Sequence, residues 1–340
     1  MEFLITSKPD FEKTLARETV FCQGRVLSSG RGWVHAEGAE GPGFRDLCFA
    51  QHIFKAPFPV KASSVNSLAG GLVDLFFEHL KDKQVNASWP FFFYSCREDM
   101  LRHAATVQKC WLDKLKKRAS RVARFGREGF FQHNEFHQGF FVFLTGYNEA
   151  RVSFEARSQG QRRMKMDPGA PSRSYLKIEE SFHVLGDEPK DGESVVDLGA
   201  APGGWSLSAL KRGARVLAID NGPLREPVSS HPHMRHLKAD ALKYVHSHAA
   251  PADWLFCDVL EDPELILKVL GQWLSRGWCR NFVANLKVGQ CDPVAVLKRI
   301  RDPRAGLVPY CQVLLVRQLY HDREEITIMG TRTKYPLFPV

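Results

Sequence analysis

Between residues 190 and 290, continuous apolar runs alternate with amphipathic ones, and no other feature of the chain limits its fold so strongly. ESVVDLG, ARVLAID, ADWLFCDV and RNFVANLKV are short and apolar, while WSLSALKRG and PELILKVLGQWLSRG between them carry helical spacing. A strand apolar on both faces needs cover on both faces, and helices between successive strands supply it. The expectation is an α/β domain on a doubly wound parallel sheet, with QVLLVRQLYHD and EEITIMG as a final strand pair. In such a sheet, ligands bind beyond the carboxyl ends of the strands.

The 340-residue length predicts about two domains. The first half mixes apolar runs such as WPFFFYSC (89–96) and FFVFLTGY (140–147) with helical stretches around 11–20, 68–80 and 104–124. That is an α+β texture without regular βαβ alternation. SQGQRRMKMDPGAPSRS (158–174) is polar, basic and rich in Gly and Pro, so a linker is expected there. The division drawn is an α+β region over 1–165 and an α/β domain over 166–340.

Charge separates the same regions. Of 47 Lys and Arg against 38 Asp and Glu, residues 101–165 hold 14 basic and 5 acidic side chains, while the rest of the chain is close to balanced. VQKCWLDKLKKRASRVARF (107–125) reads as one amphipathic helix. Val107, Trp111, Leu115, Ala119 and Val122 form its apolar side, and Lys109, Lys114, Lys116, Lys117, Arg118, Arg121 and Arg124 the remaining arc. A solvated helix face would look the same, but clustered cations also release counterions from a polyanion, which favours nucleic acid as partner. The apolar side is too modest for a membrane surface, and no run approaches the roughly 18 apolar residues of a membrane span. The start, MEFLITSKPDFEK, lacks the basic and apolar segments of a secretion signal. Eight scattered cysteines without a CxxC pair suggest reduced thiols in the cytoplasm, and the His and Cys spacing offers no metal site.

The chemistry begins at VVDLGAAPGGWSLSAL (195–210), a strand, a Gly-rich turn and a helix start. Asp220 ends the next strand about 20 residues on, where a carboxylate can accept from a ribose diol. Asp240 follows the place where a third strand should end. The spacing is not G-x-G-x-x-G, and Pro202 argues against a pyrophosphate cradle and hence against a nucleotide-dependent oxidoreductase. D-L-G-A-A-P-G-G-W-S instead resembles the cofactor turn of S-adenosylmethionine-dependent methyltransferases acting on RNA 2′-hydroxyls.

Four residues extend that resemblance: Lys177 in SRSYLKIEE, Asp258 ending WLFCDV, Lys287 ending FVANLKV and Glu325 beginning EEITIMG. Their order and context look like the Lys-Asp-Lys-Glu tetrad of RNA 2′-O-ribose methyltransferases. The fourth acid is either Glu324 or Glu325, which point to opposite faces of a strand; Glu325 is chosen because E-I-T-I-M fits the acid-then-apolar pattern. The chemistry needs such a set, because a ribose hydroxyl must lose its proton as it attacks a sulfonium methyl. A lysine of depressed pKa can take that proton. Lys287 is the candidate base, Lys177 would depress it and steady the developing oxyanion, and Asp258 and Glu325 would orient the amines.

APSRSYLKIEESFHVL, GWCRNFVANLK and RQLYHDREEIT resemble one family in particular, the bacterial large-subunit ribosomal RNA cytidine 2′-O-ribose methyltransferase M family, over roughly residues 145–330. The resemblance implies a Rossmann-like methyltransferase domain preceded by a ferredoxin-like region and a THUMP RNA-binding domain. It implies S-adenosyl-L-methionine as cofactor, held at Ser174, Ala201, Pro202, Gly203, Gly204, Asp220, Asp240 and Asp258. It also implies ribosomal RNA as partner, no metal, no membrane, and a monomer working in the cytoplasm. Ala201 departs from relatives that often carry Cys there, which matters little if that contact is through backbone. Another structured RNA such as transfer RNA, or a catalytically silent RNA-binding protein, are the competing readings.

Overall fold

The computed structural model describes residues 1–81, 83–248 and 250–333, which fall into two compact units, Met1–Gly160 and Gln161–Val340. In the second unit a seven-stranded sheet runs in the order Met234–Leu237, Arg215–Ile219, Ser194–Leu198, Ala252–Cys257, Cys279–Lys287, Glu325–Arg332, Cys311–Arg317. The first five strands and Cys311–Arg317 run in one direction, and Glu325–Arg332 runs antiparallel to both of its neighbours. The central strands are apolar on both faces because both faces are covered. Val195, Val216, Trp254, Phe256 and Val283 pack with helices Tyr175–Leu185 and Gly204–Lys211, while Pro263–Ser275 buries Ile266, Leu270 and Trp273. Strand order reverses between Ser194–Leu198 and Ala252–Cys257, which opens a crevice at their carboxyl ends.

The expected final strand pair is present, with a consequence for the site. The last strand does not extend the sheet edge. It inserts between Cys279–Lys287 and Cys311–Arg317, and its register sets Glu325 directly opposite Lys287.

The first unit is built on one mixed sheet. Its opening elements run strand, helix, strand, strand, helical turn, strand: Glu2–Thr6, Glu12–Phe21, Arg25–Gly30, Trp33–Glu37, Pro42–Arg45 and His52–Lys55. The four strands lie with the first between the fourth and the third, the ferredoxin-like arrangement. The sheet continues through Glu149–Ser158, Phe136–Gly146 and Trp89–Tyr94, one face of which is packed by helices Val65–Leu80 and Glu98–Arg118. Trp111 is fully buried there, stacked on Phe140 at 5.0 Å between ring centroids.

Two sequence expectations change. The basic stretch is not one helix: Glu98–Arg118 ends and Ser120–Phe125 begins at Ala119, whose φ of −153° is extended. Trp89 Nε1 donates to Val122 O at 3.1 Å, and the break brings Ala123 rather than Ala119 into the core. The division also falls earlier than residue 166. The Arg162 N–H donates to the Glu180 carboxylate and the Met164 N–H to His321 Nε2, so 161–165 belong to the second unit.

Trp111→Ala should therefore destabilise the first unit by about 3–5 kcal/mol in denaturant unfolding, the cost of an unfilled aromatic cavity. Trp111→Phe should cost much less, because the buried Trp111 Nε1 has no hydrogen-bond partner to lose. Equal losses in the two variants would contradict this packing.

Candidate active site

The Gly-rich turn leaves the strand Ser194–Leu198 with Gly199 at φ +76°, and a Cβ there would lie 2.8 Å from Val259 Cγ2. Gly204 opens the next helix, and its missing side chain lets the chain pass the Ser172 and Ser174 hydroxyls, 2.3 and 2.7 Å from where a Cβ would sit. Trp205 Nε1 donates to Ser174 O at 3.0 Å and fastens the turn to the start of helix Tyr175–Leu185. Asp220 accepts from the Ala201 N–H at 2.9 Å and the Gly222 N–H at 2.7 Å. Beneath the turn Asp197 is fully buried. The Ser206 hydroxyl donates to its Oδ2 at 2.6 Å, its Oδ1 has no partner, and burial pushes its carboxyl up to about 7.

Lys177, Asp258, Lys287 and Glu325 converge. Glu325 pairs through one oxygen with Lys177 and through the other with Lys287, and Lys287 Nζ stands 3.6 Å from Asp258 Oδ1. Their side chains are 12–27% exposed, enough to meet a substrate and little enough to strengthen each charge. Burial pulls Lys177 down, but the Asp258 and Glu325 carboxylates outweigh it and hold its pKa above the ordinary lysine value. Burial raises Asp258 more than the two lysines lower it, whereas at Glu325 the lysines prevail over burial and the net direction is down. Glu324 faces elsewhere, over Gly289, so Glu325 is the acid that meets both amines. The Glu325 carboxylate links the two lysines by pairing with both.

The polar groups that support the tetrad from behind escaped the sequence reading. Asn285 is fully buried two residues before Lys287 on the same strand. Its Oδ1 accepts from Lys287 Nζ at 3.1 Å, and its Nδ2 donates to Asp322 Oδ1 and Thr327 Oγ1, each at 3.1 Å. Asp322 also accepts from the Thr327 hydroxyl and the Leu319 N–H. Glu180, fully buried one helical turn beyond Lys177, accepts from the amides of Tyr320 and His321 at 2.6 and 3.0 Å. It ties the helix carrying Lys177 to the loop that leads to Glu325. An amide inside the apolar run FVANLK was the visible signal for Asn285; nothing in LKIEE separates the buried Glu180 from its neighbour Glu179.

A cavity of about 410 Å³ is lined by Ser174, Gly199, Ala201, Pro202 and Asp258 together with the tetrad. Gly203, Gly204 and Asp220 stand behind this wall, Asp220 through its bond to the Ala201 N–H. Asp240 is not brought to it: its carboxylate caps the turn Ala241–Lys243 through the Leu242 N–H and pairs with Lys243 at 3.1 Å. The cavity suits a cationic sulfonium ligand. Asp220 and Asp258 place carboxylates at the strand ends, buried Asp258 Oδ1 has no hydrogen-bond partner among the described residues, and the glycines leave backbone exposed to a close approach. Among the described residues no group of three or more His, Cys, Asp or Glu could hold a metal ion, and no helix is long and apolar enough to cross a membrane.

The FtsJ-like methyltransferase family matches residues 170–290, the part of the chain that forms the turn and carries three of the four tetrad residues. Ribosomal RNA large subunit methyltransferase M of Thauera aminoaromatica is 41% identical over 182 residues, covering 51% of this chain and 49% of that one. Among solved structures, a possible methylase from Clostridium difficile 630 covers 99% of both chains at 12% identity with a TM-score of 0.34. The protein of the same name from Laribacter hongkongensis (strain HLHK9) is 31% identical over 97% of this chain and 96% of its own. That likeness runs through both units from end to end, and the chain belongs to the ribosomal RNA large subunit methyltransferase M family.

Proposed function

We propose that this protein methylates the 2′-hydroxyl of a cytidine ribose in large-subunit (23S) ribosomal RNA in the bacterial cytoplasm, with Lys287 as the general base. The observation that carries the reading is the meeting of Lys177, Lys287, Asp258 and Glu325 at the wall of the turn cavity. S-adenosylmethionine, when bound, supplies an electrophilic methyl on a sulfonium. Ser174 and Ala201–Gly204 would hold it, Asp220 from behind the turn and Asp258 from the tetrad side; Asp240 would join only by leaving its bond to Lys243.

The two lysines divide the work. Asp258 and Glu325 favour the charged form of Lys177, which suits it to steady an oxyanion. Lys287 accepts the hydroxyl proton at Nζ, held toward the cavity by Glu325, Asp258 and Asn285. All four residues come from one chain, so a single copy completes the site. Affinity for RNA falls to the first unit, where Lys109, Lys116, Lys117 and Arg121 are exposed on the two basic helices.

Lys287→Ala should lower methyl transfer by about 10²–10⁴-fold while calorimetric binding of S-adenosylhomocysteine changes little; full turnover in that variant would rule Lys287 out as base. Ribosomal RNA from a strain lacking the gene, mapped by mass spectrometry, should lack one ribose methyl on a large-subunit cytidine. Charge reversal at Lys116, Lys117 and Arg121 together should weaken RNA binding and flatten its salt dependence, each lost phosphate contact reducing the slope by about 1. An unchanged slope would remove these helices from the interface.

A further inference from the structure

Beyond the tetrad lies a second cavity of about 640 Å³, and its walls include Lys287, Glu325, Leu260 and Arg323, which also line the first. The two cavities therefore meet at the proposed base. If the first holds the methyl donor, the second gives a hydroxyl a route to Lys287 Nζ, and its size suits a nucleoside. The remaining wall is unusual for a surface that receives a polyanion, since it adds Glu261, Asp262 and Glu324 and no further cation.

These acids are not equivalent. Asp262 is committed to its helix, accepting from the Glu264 N–H at 2.8 Å. The Glu324 side chain has no hydrogen bond or ion pair among the described residues, while its backbone carbonyl accepts from the Val288 N–H at 2.9 Å; its carboxylate lies over Gly289, with Oε2 2.5 Å from where a Cβ would stand. A side chain at 289 would push it away, so the absence of one gives Glu324 its place on the cavity wall. A carboxylate there repels phosphate and any carbonyl edge, and it gains only from a hydrogen-bond donor. Cytosine presents such a donor in its exocyclic amine, where uracil presents a carbonyl.

We propose that the second cavity seats the target nucleoside and that Glu324 selects the base by accepting from its exocyclic amine, favouring cytosine over uracil. This inference rests on the methyl-transfer reading above. The test uses the full chain and Glu324→Gln with S-adenosylmethionine and two large-subunit RNA transcripts that differ only in carrying C or U at the mapped nucleotide. Wild type should prefer the C transcript in kcat/KM by about tenfold or more, the yield of one discriminating hydrogen bond. In Glu324→Gln, whose amide can turn either a donor or an acceptor to the base, the preference should collapse, with the loss on the C transcript seen in KM more than kcat. Unchanged binding of S-adenosylhomocysteine will show that the variant is folded. A wild type indifferent to C or U, or a ratio retained in Glu324→Gln, overturns the assignment of Glu324. A wild type that methylates neither transcript overturns the methyl-transfer reading and this inference with it.

Discussion

One carboxylate, that of Glu325, holds the site together by pairing with two lysines from different elements. Two ammonium groups would not stay side by side in a half-buried crevice without a counter-charge between them. Topology places that counter-charge: because the last strand inserts antiparallel beside Cys279–Lys287, its first residue lands opposite the last residue of its neighbour. A strand added at the sheet edge instead would leave Lys287 facing apolar sheet. The insertion is in turn anchored by Asn285, Asp322 and Thr327, whose hydrogen bonds cross the same pair of strands.

Burial and charge act against each other throughout the cluster, and the outcome differs residue by residue. Burial wins at Asp258, and partner charges win at Lys177 and Glu325. Both lysines pair with Glu325, and Lys287 also donates to Asn285 Oδ1 and occupies the junction of the two cavities. A proton acceptor has to sit where substrate can reach it, and of the two only Lys287 lines both cavities.

What the sequence revealed follows from what local pattern can carry. Apolar alternation gave the parallel sheet, and strand-end residues gave Asp258, Lys287 and Glu325, because in a doubly wound sheet sequence position near a strand's end already implies spatial position. Glu325 is chosen over Glu324 because E-I-T-I-M fits the acid-then-apolar pattern, and the strand register sets that same residue opposite Lys287. Ala119 is different: helical periodicity ran through it unbroken, but the Trp89 side chain, some 30 residues earlier in sequence, bonds to Val122 O beyond the break. Glu180 was invisible for a related reason. It is one of two adjacent glutamates, and only tertiary packing turns it inward to receive the amides of residues 320 and 321 while Glu179 pairs with Arg212.

The concentration of cations in residues 101–165 has a consequence for how such an enzyme can recognise RNA. Residues 166–340 carry 22 basic and 21 acidic side chains, close to balance, and the second cavity adds three acids without a further cation. A catalytic unit of that kind attracts a polyanion weakly, so its own contacts must discriminate by hydrogen bonding and shape. The cation surplus of residues 101–165 can supply counterion-release affinity, which is indifferent to sequence. Added salt then weakens capture far more than it alters the chemistry at Lys287, whose neighbours are partly buried and poorly screened. On the proposed reading, affinity and selectivity rest on different residues, and each can be changed without rebuilding the other.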